Sequence, residues 1–301
     1  MTSDDSVSTF AARPGRRAVR HAGTFADVLS DYLLSPERVK VRRQVPAVIN
    51  NVRMTITSQA RSFDTTAASY AANRPSYPSD LFDAVEELTG RPLEGACVAD
   101  VGAGTGLATM LLRARGASVI AVEPGPGMAS QFRLSLPDVP LVIGDGNNLP
   151  LASGSVDVLT YAQAWHWTDQ RKSVPEALRV LRTGGALALW WNDSDSTIPW
   201  IANQDARLSR LFDADDSPHD PMARFRGLPS ELDFVHRHVP WTRSVPLDMH
   251  LANLASYSDF LVLGKQATNT FIARERDILT EVFPNRMVEE HYVVSLAVTT
   301  C

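Results

Sequence analysis

The chain has 301 residues, 44% of them hydrophobic and 21% charged, which is ordinary globular composition and excludes collagen-like, mucin-like and wholly disordered classes. Its net charge of −5 is uneven: residues 1–53 carry +4 and the remainder −9, so the main body is a poor partner for nucleic acid. Only Cys97 and Cys301 are cysteines, which excludes a disulfide framework or a Cys-based zinc site, and no apolar window approaches the roughly 18 residues of a membrane span. A cytoplasmic protein with no membrane partner is expected, with Cys97 as a buried apolar filler.

Residues 1–53 show weak periodicity and are expected to form a mobile N-terminal extension. Arg16–Arg17 is not followed by an apolar core, because Asp27 and Asp31 interrupt the candidate, so an export signal is not expected. Residues 54–301 are expected to form one domain. Pro78 precedes Ser79–Leu88, where Leu81, Phe82, Val85 and Leu88 share one helical face. Strand and helix signals then alternate. Strands are expected at Cys97–Val101, Ser118–Val122, Leu141–Ile143, Val156–Tyr161 and Ala186–Trp191, with helices at Leu107–Arg115, Gly127–Leu136 and Arg171–Leu181. Continuously apolar strands separated by helices indicate an α/β, doubly wound, mostly parallel sheet, which binds ligands beyond the carboxyl ends of its strands.

Residues 194–287 are less regular and read as a helical cap insertion. Helices are expected at Ile201–Phe212, Asp259–Lys265 and Thr270–Phe283, and a strand near Phe234–Trp241. His291–Thr299 reads as the final strand of the sheet. His236 and His238 lie two apart on one strand face, without further ligands at metal-site spacing, so no metal site is expected.

The first strand leads into Asp100-Val101-Gly102-Ala103-Gly104-Thr105-Gly106. Glycines at alternate positions let a ligand approach the backbone closely, and the following helix N-terminus offers free N–H groups. The G-x-G-x-x-G spacing of an NAD(P)-dependent oxidoreductase is not met, because Leu107 and Thr109 stand where its third glycine is required. That weakens the oxidoreductase alternative without excluding it. Glu123, ending the second strand, is placed to accept hydrogen bonds from two ribose hydroxyls. Asp145, within Gly144-Asp145-Gly146 after the third strand, is placed to accept an adenine amino group. Together the three strand ends would suit an adenosine.

This arrangement resembles the class I S-adenosylmethionine-dependent methyltransferases, and the type 11 small-molecule group in particular. The resemblance extends to Phe63–Pro78, to Leu149-Pro150-Leu151 with Ser155–Val158, to Ala162–Trp167 (AQAWHW) and to Leu178–Gly185 (LRVLRTGG). Thr168 departs from the aromatic usual after the AQAWHW run. The resemblance implies a Rossmann-like methyltransferase fold of seven strands, S-adenosylmethionine as cofactor and a small-molecule acceptor. It implies that Gly102, Gly104 and Gly106 line the methionine and ribose, and that Asp100 holds the loop and, through water or directly, the methionine amino group. It further implies that Glu123 grips the ribose, Met128 packs near the adenine, Asp145 and Gly146 meet the adenine edge, and Ala162 and Gln163 lie beside the methionine arm. Tyr70 and Arg74 would fold over the cofactor as a lid.

For the transfer itself, His166 is the candidate general base, Arg74 a candidate clamp for a carboxylate acceptor, and Trp165 the aromatic expected to face the acceptor. Oxygen is the preferred methyl-accepting atom. A cofactor-binding protein without transfer activity is the alternative from a different class.

Overall fold

The computed structural model describes residues 74–212 and 222–301. The extension 1–53, Tyr70 and most of the expected lid segment lie outside the described residues.

Helix α1 (Ser79–Thr89) follows Pro78 and buries Leu81, Phe82, Ala84 and Val85, the face set by the apolar spacing. Gly90 ends it at φ 65°, a left-handed conformation that costs glycine little. Strand and helix then alternate through β1 (Cys97–Val101), α2 (Leu107–Ala114), β2 (Ser118–Glu123), α3 (Pro126–Ser135), β3 (Leu141–Ile143), β4 (Val156–Ala162), α4 (Gln170–Val180) and β5 (Leu181–Ser194). Every residue of β1 is buried, as expected of a strand covered on both faces.

The seven strands lie in the order β3-β2-β1-β4-β5-β7-β6. The first five are parallel. β7 (Met287–Thr300) runs antiparallel to β5, and β6 (Val235–Pro246) antiparallel to β7. This is the doubly wound, mostly parallel α/β sheet expected from the sequence. The chain crosses from the β3 edge to β4 on the far side of β1, so the connections leaving β1 and β4 diverge and open a crevice between them.

The two sheet faces carry separate cores. Ala99, Val101, Leu159, Leu187 and Leu189 point to the face covered by α4 and the turn at Trp165. Val98, Val158, Ala188, Trp190 and Val298 point to the face covered by α1 and α2. Cys97 is a buried member of the first core, as expected for an apolar filler.

β5 starts five residues earlier than the apolar run suggested. Leu181 pairs with Val156, and the register then shifts so that Val158 pairs with Ala186. The intervening Gly184 (φ 74°) and Gly185 accommodate the irregularity. β7 likewise begins at Met287, because its first residues pair with the second half of β6 rather than with the sheet centre.

The cap region contains α5 (Pro199–Leu211), α6 (Ala223–Arg226), α7 (Leu247–Ala255), α8 (Ser258–Leu263) and α9 (Lys265–Val282). α7 and α6 were not expected. Leu247, Leu251 and Leu254 of α7 have helical spacing and are all buried. His236 and His238 do lie on β6, and both rings meet Phe225 of α6, at 4.1 and 5.3 Å between centroids.

The cap is joined to the antiparallel half of the sheet by a buried polar chain. Arg207 of α5 donates to Glu275 of α9, Gln204 donates to the same carboxylate at 3.1 Å, and Gln204 meets His250 of α7 at 3.2 Å. His250 Nδ1 lies 2.6 Å from Glu290 of β7, which also accepts from Arg243 of β6 at 2.5 Å and from Tyr292 at 3.0 Å. Glu290 is 2% exposed, and its hydrogen bonds to His250 and Arg243 hold its carboxyl below the ordinary carboxylate range despite burial. Removing one member of a buried ionic cluster leaves the others unpaired at a cost of about 3–5 kcal/mol. Glu290→Ala should lower the unfolding free energy by that order in urea denaturation, whereas Arg276→Ala, at an exposed pair with Asp248, should change it by less than about 1 kcal/mol.

Candidate active site

The bend after β1 is the centre of the site. Gly102, Gly104 and Gly106 all have positive φ, at 69°, 59° and 94°. The three do different work. A Cβ on Gly102 would stand 2.5 Å from Cβ of Ala164, and one on Gly106 would stand 2.6 Å from Leu136. Those two glycines let the loop nest against its neighbours. Among the described residues, a Cβ on Gly104 would meet nothing nearer than the Gly102 carbonyl at 4.0 Å. Gly104 thus presents backbone that no described side chain covers, as a cofactor lying across the bend requires.

Glu123, at the end of β2, stands directly over this backbone. Its Oε2 accepts from Gly104 N–H at 2.8 Å, and its Oε1 accepts from Gly125 N–H at 2.7 Å. A carboxylate is acceptor-only with about four lone-pair sites, so fastening the loop does not by itself exhaust its capacity for hydroxyls. The bare glycine and the acceptor-only carboxylate beside it fit a ribose-bearing cofactor.

Asp100 has a different environment from the one expected. It is fully buried, with Oδ2 accepting from Thr109 of α2 at 2.6 Å and Oδ1 from Thr160 of β4 at 3.1 Å. It staples β1, α2 and β4 together behind the bend. These bonds hold the strands behind the bend, and a methionine amino group, reached through water or directly, would meet a carboxylate that is fully buried here.

Asp145 is exposed and accepts from Asn147 N–H at 2.8 Å, which fixes the turn after β3. Gly146 is packed so closely on Tyr161 and Thr168 that a Cβ would fall 2.9 Å from each. Met128 is buried in the first half of α3, whose Pro126 follows the Glu123-held Gly125. Ala162 ends β4 and is half-buried. Gln163 follows at φ 59°, a conformation costly for a side-chain-bearing residue and concentrated at functional sites. Its N–H donates to the Trp190 carbonyl at 2.9 Å, and its Nε2 to the Asn192 carbonyl at 3.2 Å.

The aromatic run after Gln163 folds as a single 3₁₀ turn, Trp165–Trp167. This corrects one expectation. Trp165 does not face the crevice: it is 2% exposed, edge-on to Tyr161 at 4.9 Å, and belongs to the core. A tight turn that swings Trp165 inward turns its neighbour outward, so His166 is exposed. The His166 ring nonetheless lies against Trp167 at 4.8 Å and accepts from the Trp191 indole at 3.3 Å. That crowding by apolar rings, and then the charge of Arg224, lower its pKa to about 4. His166 is therefore neutral at pH 7 and a weak base.

Arg74 lies on the cap side, with its guanidinium 5.1 Å from the ring centroid of Tyr257. Arg243 reaches its backbone carbonyl at 3.5 Å, which ties the start of the described chain to β6. Arg224 pairs with both oxygens of Asp193 at the end of β5. Sequence reasoning missed this side of the site, formed by Asn192, Asp193, Trp241 and Tyr257. Their positions depend on how the cap folds back on the sheet, which no local pattern records.

Burial raises the Asp100 pKa from 3.8 to about 6. The unfolded chain therefore ionises first, and the folded protein loses stability as the pH rises from about 4 through 6. Asp100→Asn removes that titration and keeps both threonine hydroxyls bonded, since each can rotate to donate or accept. Its stability relative to wild type should rise by up to about 3 kcal/mol between pH 4 and pH 7 in denaturant titrations. A difference that does not vary with pH would refute the buried carboxylate's assignment.

The described residues contain no helix long and apolar enough to cross a membrane. A family model described as a methyltransferase domain matches residues 99–189, from β1 through most of β5. An uncharacterized methyltransferase of Mycobacterium tuberculosis is 35% identical over 219 residues, covering 72% of this chain and 85% of that protein. An uncharacterized methyltransferase-like protein of Schizosaccharomyces pombe is 35% identical over 153 residues, 50% of this chain and 59% of that one. A solved protein from Anaeromyxobacter dehalogenans, provisionally described as a type II methyltransferase, shares the fold with a TM-score of 0.60 at 24% identity, over 75% of this chain and 97% of that one. With a relative this similar over most of its length, and the glycine bend and Glu123 where the fold needs them, the chain belongs to the class I S-adenosylmethionine-dependent methyltransferases.

Proposed function

We propose that this enzyme methylates a small molecule at oxygen, and that the accepting oxygen is already anionic at neutral pH, as in a carboxylate. The low basicity of His166 carries the choice of acceptor. With its pKa lowered by the rings around it, His166 is poorly matched to take a proton from a phenol, whose ordinary pKa is near 10. An oxygen that has already lost its proton needs no such base. The net charge of −9 outside residues 1–53 supports a small acceptor over a nucleic acid.

S-adenosylmethionine, when bound, supplies a methyl group already made electrophilic by its sulfonium. The chain's contribution is to bind, align and exclude water. Gly104 offers the backbone surface, while Gly102 and Gly106 keep the bend compact enough to expose it. Glu123 receives ribose hydroxyls, Asp145 and Gly146 border the adenine, and Met128 contributes apolar contact from α3. Ala162 and Gln163, leaving β4, flank the methionine arm. Asp100 acts from behind, through Thr109 and Thr160. Arg74, over Tyr257 at the cap, supplies positive charge for a carboxylate. Trp165 supports the floor of the site without touching the acceptor.

Gly104→Val tests the cofactor site. A branched Cβ would fill the open space above the bend at a backbone angle that costs about 1–2 kcal/mol for other residues. Calorimetric titration should show S-adenosylmethionine affinity reduced by more than about a hundredfold, with the folded circular-dichroism spectrum retained. Retained affinity would refute the site. His166→Gln tests the acceptor. Turnover of a panel of carboxylic acids and phenols, followed as S-adenosylhomocysteine release, should favour the carboxylic acids and stay within a few-fold of wild type from pH 6 to 8. A phenol preference, lost in the variant below neutral pH, would restore His166 as a base.

A further inference from the structure

Asn192 lies near the carboxyl end of β5, beside the point where Gln163 leaves β4, and it is 9% exposed. Its backbone carbonyl accepts from the Gln163 side chain, which joins the two residues at the carboxyl edge of the sheet where β4 and β5 end. Its side-chain Oδ1 accepts from the Trp241 indole N–H at 2.9 Å. An indole N–H can only donate, so the atom facing it must be the oxygen, and the amide cannot be turned the other way. The orientation thus follows from chemistry. What remains is Nδ2, a buried donor with no hydrogen-bond partner among the described residues.

A buried, unsatisfied donor costs about 1–3 kcal/mol. The surroundings hold this one in place firmly. Trp241 stacks on Tyr292 at 5.1 Å, Tyr292 donates to Glu290, and Glu290 is fixed by Arg243 and His250. On the other side Gln163 holds a left-handed backbone at φ 59° while bonding the Asn192 carbonyl. Two departures from low energy, an orphaned donor and an unfavourable φ, therefore sit on adjacent strand ends in hydrogen-bond contact with each other. Neither is needed by the sheet, whose ladder continues regularly through Asn192 opposite Val294.

Resting on the methyltransferase reading above, we infer that Asn192 Nδ2 is a specificity-determining donor that receives an oxygen lone pair of the methyl acceptor. A donor fixed in this way selects acceptors with a carboxylate or carbonyl oxygen and rejects those presenting an N–H or an apolar edge. On a carboxylate, it would hold one oxygen and leave the other free for transfer. Trp241 is then a positioning residue: it acts on the acceptor only through the amide it orients.

The test follows the Asn192 side-chain NH₂ pair by NMR in the full-length enzyme labelled with ¹⁵N-asparagine, the pair being assigned by its disappearance in Asn192→Asp. Sodium benzoate and acetate are titrated with and without saturating S-adenosylhomocysteine. Benzoate should shift the Asn192 pair saturably. Asn192→Asp, which keeps the acceptor for Trp241 but replaces the donor, should weaken benzoate at least tenfold and leave S-adenosylhomocysteine affinity within twofold. Trp241→Phe should weaken benzoate by a smaller factor and broaden the pair as the amide becomes free to rotate. An Asn192 pair that responds to neither carboxylate, or an Asn192→Asp enzyme that binds benzoate as wild type does, overturns the inference. The wild-type titration decides the matter even if a variant fails to fold. Absence of S-adenosylhomocysteine binding, read separately by calorimetry, would instead overturn the methyltransferase reading.

Discussion

The structure depends on a short stretch of backbone held in a conformation it would not keep alone. Gly102, Gly104 and Gly106 are all left-handed, and the loop they form is fastened from two sides. Glu123 receives its amide from the next strand, while Asp100 binds the helix and strand behind it through Thr109 and Thr160. One carboxylate works at the surface of the bend and the other beneath it. Asp100, wholly desolvated, resists ionisation until about pH 6, and Glu123 accepts from backbone donors on both oxygens. A rigid, bare bend is what lets a fold with no dedicated cofactor cage present its main chain to a ligand.

The two halves of the sheet are built on different principles. The parallel half is apolar on both faces and ends in loops that carry the cofactor side of the site. The antiparallel half, with the cap, depends on a buried chain of charged and polar groups running from Arg207 to Tyr292. Such a chain adds little net stability over apolar packing, but it penalises any arrangement in which one member lacks its partner. It therefore fixes where α5, α7 and α9 stand relative to β6 and β7. The acceptor side is bounded by that assembly.

This division also explains what the sequence disclosed. Parallel strands are continuous apolar runs stopped by glycine, so β1 to β4 and the helices between them were legible to within a residue or two. The glycines and Glu123 were legible because they are adjacent to those strand ends. The cap was not, because Gln204, His250, Glu275 and Glu290 meet only after the chain has folded across nearly ninety residues. Trp165 misled for a local reason: the run Trp165–Trp167 after the strand forms a 3₁₀ turn, which carries Trp165 into the core while its neighbour His166 stays at the surface. Asn192 carried no signal, since an Asn-Asp pair reads as a turn and its Trp241 partner lies 49 positions away.

The prolines of β6 have a consequence for life at high concentration. β6 is the outermost strand on its side, twelve residues long, and opposite it β3 has only three. An open margin of that length invites a second chain to add itself and continue the ladder. Pro240, exposed in the middle of β6 and paired inward with Val293, has no N–H to offer a newcomer, and Pro246 ends the strand the same way. The enzyme thus carries its own safeguard against fibre-like stacking along its longest free edge.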